Sequence, residues 1–491
     1  MSPVPKGWKT LDKDLSRISR IELATGSVAR SIIGRAIAVA FLLVAALVAA
    51  VVWGAQPNLL LVIAATVFGS YMALNIGAND VSNNMGPAVG ARALPMGVAI
   101  VLAAVAESAG ALLAGRDVIH TISYDILQIE TVTNTQGLVW AMLAALIAAA
   151  GWVNLATWVG APVSTTHSIV GGVLGSGIAA LGFDAVNWPL VAMIAANWII
   201  SPIMGGVVAA AILAFVKTQI MYQRDKLAAA VRWVPVLVAI MAGAFTSYLM
   251  IKGVDRLFTS ASSAVPLAGL GVGCLTYVIA APLIEYKARG MENRNRSIKA
   301  LFTVPLIISA TLLSFAHGAN DVANAVGPLA AIVHATQTGT SVADVAVPNW
   351  VMVIGALGIS FGLFLFGPKL IRMVGDQITK LNPMRAFCVS LSAAITVLLA
   401  SWMGLPVSST HVAVGGVFGV GFFREWYMKR RRQRLKTSQP KQAAFPAEEV
   451  RRRKLVRRSH FLTIVVAWMF TVPAAAALSA LLFTVMMTFA G

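Results

Sequence analysis

Residues 77–87 read Gly77-Ala78-Asn79-Asp80-Val81-Ser82-Asn83-Asn84-Met85-Gly86-Pro87, and residues 318–328 read Gly318-Ala319-Asn320-Asp321-Val322-Ala323-Asn324-Ala325-Val326-Gly327-Pro328. The second stretch echoes the first 241 positions later. A further pair follows in the same order: Gly160-Ala161-Pro162-Val163-Ser164-Thr165-Thr166-His167, repeated 244 positions on as Gly404-Leu405-Pro406-Val407-Ser408-Ser409-Thr410-His411. Two motifs repeated in one order mark an internal duplication, and any architecture must place two copies of one supersecondary unit.

The solvent for that duplication is lipid. Of 491 residues, 58% are apolar and 12% charged, with 41 Gly; a soluble domain carries about 25% charged residues. Mean hydropathy is +0.80, which excludes a soluble globular enzyme. Cys274 and Cys388 lie in separate apolar runs and read as core residues rather than as a disulfide or a thiolate metal site. Nine plain apolar runs are long enough for a ~30 Å hydrocarbon core: 36–54, 94–115, 137–157, 187–216, 232–251, 264–285, 349–367, 386–403 and 461–489. Four more, at 58–93, 160–181, 299–334 and 404–423, are interrupted by Gly, Pro, Asn or Ser/Thr and carry the repeated motifs. Counting each as a crossing predicts an all-α polytopic membrane protein of 12–13 transmembrane helices with broken or re-entrant segments at the midplane.

Charge sets the orientation. The formal charge is +19, but the 38 Lys and Arg lie between apolar runs: seven in 1–35, four in 217–232, five in 287–299, four in 369–385 and fourteen in 424–458. With the N-terminus cytoplasmic, these 34 together with Arg92, 35 of the 38, fall on the cytoplasmic side and only Arg116, Lys252 and Arg256 lie outside. Residues 36–54 are too long for a cleaved signal and follow a leader containing Asp12, Asp14 and Glu22, so they read as an anchor. Basic residues at 424–458 read as a solvated, topology-setting loop that can meet anionic lipid headgroups; nucleic acid is not expected as a partner.

Each copy runs as a Gly-Ala-Asn-Asp crossing, two plain crossings and a Ser/Thr-His crossing, and three plain crossings separate the copies. Seven crossings from one motif to its repeat is an odd number, so the second copy points the opposite way. The organisation expected is a leader and anchor (1–57), a first repeat (58–181), linking helices (182–298), a second inverted repeat (299–423), a basic loop (424–460) and a last helix (461–491). Inverted repeats with Gly- and Pro-broken segments are the sequence mark of secondary transporters.

Asp80 and Asp321 sit in apolar segments, where a charge costs at least about 2.5–3.5 kcal/mol. No Lys or Arg is placed to pair with them, so they are expected to be protonated or to bind a cation, sodium or proton. Asn83 and Asn324, three positions on, lie on the same helical face and add hard oxygen ligands; Asn79 and Asn320 flank them, and helix capping is the structural alternative. Glu107 is a further mid-span acid, a candidate to bind or transfer the cation. Ser164, Thr165, Thr166, Ser408, Ser409 and Thr410 read as helix starts whose hydroxyls and free N–H groups can cradle an oxyanion, with N-capping as the alternative. His167 and His411 are candidates for proton relay or structural hydrogen bonding. His317 has Ile76 as its counterpart and cannot be a symmetric ligand.

At these residues the chain resembles the inorganic phosphate transporter (PiT) family, whose signature is a duplicated Gly-Ala-Asn-Asp-Val-Ala-Asn-Ala with a paired Pro-Val-Ser-Thr-Thr-His. The resemblance implies a twelve-helix core, with residues 36–54 as an addition, that carries inorganic phosphate inward with sodium or protons. By motif match it places cation binding on Asp80, Asn83, Asp321 and Asn324, and phosphate binding on Ser164, Thr165, Thr166, Ser408, Ser409 and Thr410, with Asn79 and Asn320 open to either. The first copy departs from the pattern at Val81-Ser82-Asn83-Asn84, and Ser390 stands where some eukaryotic members carry Glu. The implied partners are phosphate, a coupling cation and the bilayer of a cell (inner) membrane, with a homodimer compatible; no cofactor and no catalytic residue is expected. Competing readings are a sulfate permease of the same fold, a channel, and an intramembrane enzyme using Ser164 or Thr166 with His167, the last disfavoured because the inverted copy would duplicate a catalytic pair on both faces.

Overall fold

The computed structural model describes residues 32–128, 135–159, 163–254, 264–338, 347–377, 381–438 and 458–490. The basic leader, Arg256 and the loop at 439–457 lie outside the described residues, so their expected sidedness is not addressed by it.

Among the described residues no strand forms; a lone antiparallel bridge joins Leu127 to Val186. In chain order the helices are α1 (32–53), α2 (Leu59–Gly90), α3 (Met96–Ala114), α4 (Arg116–His120, continuing as a π turn to Asp125), α5 (Thr135–Val159), α6 (Thr165–Leu181), α7 (Trp188–Val216), α8 (Lys226–Leu249) and α9 (Ala264–Ala288). Then follow α10 (Asn295–Leu301), α11 (Thr303–Asp321), α12 (Ala323–Thr338), α13 (Asn349–Gln377), α14 (Pro383–Trp402), α15 (Ser409–Ser438) and α16 (Arg458–Ala490). Several start on side-chain caps that satisfy an otherwise orphaned first-turn N–H. Asn187 accepts from Leu190 N, Asp225 from Leu227 N and Ala228 N, and Asn382 from Arg385 N.

Among the described residues, eleven helical stretches are long and apolar enough to cross a membrane. Their outward faces stay apolar: on α9, Leu267 is 67% and Val278 66% exposed, a pattern that water would penalise and lipid does not. Two of the interrupted segments expected to cross are not among these eleven. Residues 160–181 yield only the 17-residue α6, and 404–423 yield the apolar part of α15, whose remainder is basic. Each is the second arm of a helical hairpin. The segments before α5 and after α6 are tied together by Gln128 N to Ala185 O (2.7 Å) and Asn187 N to Ile126 O (3.0 Å). On the second hairpin, Arg385 near the start of α14 and Arg424 on α15 are close enough to repel. Both hairpins return the chain to the end it left, as a pair of crossings would, so the direction of every later helix is the one expected.

The core divides into two halves on either side of the motif residues. One, at the end where Lys217, Arg385 and Arg424 gather, holds Val81, Met85, Leu213, Phe302, Phe387 and Cys388. The other holds Ile76, Ile122, Leu146, Ile169, Val322 and Val326. Helix α2 passes from the far half (Met72, Ile76) to the basic half (Val81, Met85), while α11 and α12 pass from the basic half (Leu306, Ala310) to the far half (Val322, Leu329). The two motif helices therefore run antiparallel. Packing is crosswise: α13 of the second copy lies along α2, α3 of the first along α11, α16 along α6 and α7 along α15. The first glycine of each motif sits at a close helix crossing. A Cβ on Gly77 would sit 1.8 Å from Ile359 O of α13, and one on Gly318 would sit 2.0 Å from Glu107 O of α3.

Candidate functional site

The tips of the two hairpins meet the two motif helices at the junction between the core halves. Ser164, in extended conformation, is the N-cap of α6, and its Oγ accepts from His167 N at 3.2 Å. Ser408 does the same for His411 N at 3.4 Å. These two hydroxyls are N-caps, which spends their oxygens as acceptors but leaves each O–H able to donate. Thr166 Oγ1 donates to Val407 O at 3.1 Å, joining tip to tip. The His167 and His411 rings lie edge to face at 4.7 Å, and Trp198 covers His167 at 4.0 Å. Both ring nitrogens of His167 are buried without a hydrogen-bond partner, so the geometry shows neither a relay chain through it nor a Ser or Thr that it orients.

Around the tips the two copies contribute reciprocally. Thr165 donates to Asp80 Oδ2 at 3.2 Å and Ser409 to Asp321 Oδ2 at 3.2 Å, each within one copy. Asn83 Nδ2 donates to Thr410 Oγ1 at 2.7 Å and Asn324 Nδ2 to Thr166 Oγ1 at 3.2 Å, each across copies. Thr410 also donates to Asp80 Oδ1 at 3.0 Å, and Asn79 Nδ2 lies 3.3 Å from the same oxygen. With the amide nitrogens so engaged, Asn324 Oδ1 and Asp321 Oδ1 are buried acceptors without a partner.

The flanking asparagine of the second copy is placed differently from its expected ligand role. Asn320 donates to Ser401 Oγ (2.9 Å) and Leu405 O (3.2 Å) and accepts from Val407 N (3.0 Å). Its amide is fully used in bracing the unwound tip between α14 and α15.

Exposure breaks the reciprocity. Thr166, Asn320 and Asn324 are buried, while their equivalents Thr410, Asn79 and Asn83 are half-buried. Since Val81 and Met85 bracket Asn83 within the basic half of the core, the more exposed set of equivalents lies toward that half.

Sequence reasoning missed the group at the centre. His317 Nε2 lies 2.9 Å from Asp321 Oδ2 and 3.8 Å from Asp80 Oδ2, and its Nδ1 lies 3.2 Å from Glu107 Oε1. These contacts fall short of aligned hydrogen-bond geometry. The expectation that the carboxylates have only a proton or an added cation to turn to is corrected: an imidazole from the chain itself stands between them. Glu107 Oε1 accepts in addition from Asn84 Nδ2 at 2.9 Å, while its Oε2 is unpartnered. Asn84 departs from the duplicated pattern, as does His317 facing Ile76, and the two departures meet on one carboxylate. One atom each from Asp80, His317 and Asp321 fall within 4.8 Å of one another, a separation at which they could hold a metal ion. Ser390 is buried on α14 with its hydroxyl unpartnered.

A family model described as "Phosphate transporter family" matches residues 76–479. A Helicobacter pylori (strain J99) protein named "Putative phosphate permease" is 42% identical over 522 aligned positions, covering 96% of this chain and 98% of the relative. A Pyrococcus abyssi protein of the same description is 34% identical over 86% of this chain and 96% of its own length. Among solved structures, one described as "The sodium-dependent phosphate transporter" superposes with a TM-score of 0.78 at 34% identity, covering 87% of this chain and 99% of that one.

Proposed function

The chain belongs to the phosphate transporter family, is an integral multi-pass membrane protein, and on that footing we propose that it is a secondary active symporter. It moves inorganic phosphate with sodium or protons by alternating access between two inverted repeats, residues 58–181 and 299–423, in a cell inner membrane with the N-terminus cytoplasmic.

One observation carries the coupling: Asp321 Oδ1 and Asn324 Oδ1 are buried hard oxygens with no partner, beside a carboxylate pair. A buried acceptor left unpaired costs about 1–3 kcal/mol, and a cation on Asp80, Asn83, Asp321 and Asn324 would relieve that cost. Phosphate is assigned to the hairpin tips. The first turns of α6 and α15 present N–H groups and the hydroxyls of Ser164, Thr165, Thr166, Ser408, Ser409 and Thr410, which suit an oxyanion without Arg. Phosphate at neutral pH keeps one hydroxyl that can donate to Asp80 or Asp321, whereas sulfate has none, and this favours phosphate. Asn79 belongs to the more exposed set; Asn320 holds the tip that presents Ser409 and Thr410. Glu107 and His317 set the charge state beside Asp321. His167 and His411 pack the tips together. The unequal exposure of equivalent residues supports alternating access, because one set of contacts must loosen as its twin tightens.

Labelled phosphate uptake into liposomes containing the purified protein tests this, with an imposed sodium gradient, an imposed proton gradient, or neither, and excess sulfate as competitor. Accumulation above equilibrium under one gradient, unaffected by sulfate, is expected and names the ion. Equilibration without a gradient would identify a channel, and accumulation of sulfate in place of phosphate would overturn the substrate.

A further inference from the structure

At the basic end of the bundle, the turn that follows α7 and the helix α15 form an open cavity of about 360 Å³ lined by Lys217, Tyr222, Phe423, Trp426, Tyr427 and Arg430. We propose that this cavity binds the phosphate-bearing headgroup of an anionic phospholipid.

Lys217 is the centre of the site. Its ammonium lies 5.3 Å from the Phe423 ring centre and 5.0 Å from that of Tyr427, and Arg430 lies over Trp426 at 5.3 Å. Rings hold a cation in place without neutralising it. Lys217, Arg385 and Arg424 are near enough to repel one another. Among the described residues no carboxylate pairs with Lys217, Arg385 or Arg430. Lys217 and Arg385 are like charges held half-buried with no carboxylate partner among the described residues, which is costly, and an anion at the cavity would reduce that cost.

The cavity is large enough for a headgroup, since ligand pockets begin at about 300 Å³. Its mouth indicates which anion. Trp426 is 54% and Tyr222 46% exposed, and neighbouring Phe422, 52% exposed, offers an apolar surface. Aromatic side chains of this kind settle at the membrane interface. A phosphodiester would meet Lys217 and Arg430 while acyl chains follow Phe422 outward; basic pockets between membrane helices take such headgroups. Because Tyr222 stacks on Tyr427 at 5.2 Å, a bound headgroup would pin α15 to the end of α7, and α15 is the helix whose first turn holds Ser409 and Thr410.

Native mass spectrometry of the full-length protein, titrated with phosphatidylglycerol, phosphatidylcholine or soluble glycerol phosphate, tests the site. One phosphatidylglycerol should bind at least about tenfold more tightly than phosphatidylcholine. Lys217→Gln should lose that preference and Lys217→Arg keep it, with phosphate uptake by both variants reporting that they fold. Binding of glycerol phosphate that K217Q abolishes, without lipid preference, would keep the anion site and overturn the lipid as its source. Equal binding of both lipids and no glycerol phosphate binding, or a phosphatidylglycerol preference unchanged in K217Q, would overturn the proposal.

Discussion

Replacing Gly318 by Ala should disable the protein far more than its size suggests. The added Cβ would stand 2.0 Å from Glu107 O, where ordinary contact begins at 3.4 Å, and the obstacle is backbone that cannot rotate away. Helices α3 and α11 must therefore part by roughly 1.4 Å, the difference between those distances. Overpacking of this kind costs about 1–3 kcal/mol. The functional loss should exceed the stability loss, because Glu107 and His317 are 3.2 Å apart across that same crossing, and a displacement of about 1 Å at a working constellation can cost about 10²-fold in rate. We expect the Gly318→Ala protein to show a lowered midpoint of thermal unfolding in detergent and phosphate uptake reduced by about two orders of magnitude. Gly151→Ala is the control. It lies within α5 with nothing within 4 Å of an added Cβ, so it should keep uptake and gain about 0.5–1 kcal/mol from helix propensity. Uptake and midpoint at wild-type values in Gly318→Ala would refute the close crossing and the coupling of site to packing drawn from it.

Removing the imidazole by His317→Gln leaves buried carboxylates uncompensated, at about 3–5 kcal/mol; uptake should vanish and the unfolding midpoint fall. The double variant His317→Gln/Glu107→Gln should recover part of that stability but not uptake, and a midpoint no higher than that of the single variant would sever the pair. Asn320→Ala removes three hydrogen bonds at the α14–α15 tip, so stability should drop by about 1–3 kcal/mol with weaker phosphate binding but an unaltered choice of coupling ion, read by unfolding and by uptake under each gradient. The coupling cation should raise the unfolding midpoint of the wild-type protein, by about 2.7 kcal/mol at one hundred times its Kd. Asp321→Asn should abolish that increment, and an increment that survives would place the cation elsewhere.

Much of this molecule is legible in its sequence because lipid and duplication both leave periodic marks. Long apolar runs fix the helices, and Asp80 and Asp321 stand out because a charge among apolar residues needs a reason. Hairpins are less legible. Ala161-Pro162-Val163 and Leu405-Pro406-Val407 signal a break, but only the tertiary contacts through Asn320 and Thr166 show that the chain turns back there. Symmetry, which makes the motif pair visible, hides His317: with Ile76 as its counterpart it fails the test of duplication, yet a single imidazole can lie near both Asp80 and Asp321. Asn84 is visible only as a departure from the repeated pattern, since Ala325 stands at its equivalent, and its partner Glu107 is not legible there. Ser164 and Ser408 show the limit of residue type alone, because a hydroxyl before a helix is equally suited to cap it and to meet an anion, and here geometry makes it a cap.

The central claim is that phosphate at the hairpin tips and a cation at the paired motifs are held together. It is tested most directly by equilibrium phosphate binding to the purified protein as sodium concentration and pH are varied separately, in wild type, Asp80→Asn and Asp321→Asn. Coupling is reciprocal between ligands, so phosphate affinity should rise with one of the two cations in the wild-type protein and lose that dependence in both variants. Phosphate affinity indifferent to sodium and pH alike, or a dependence that survives both substitutions, would contradict it.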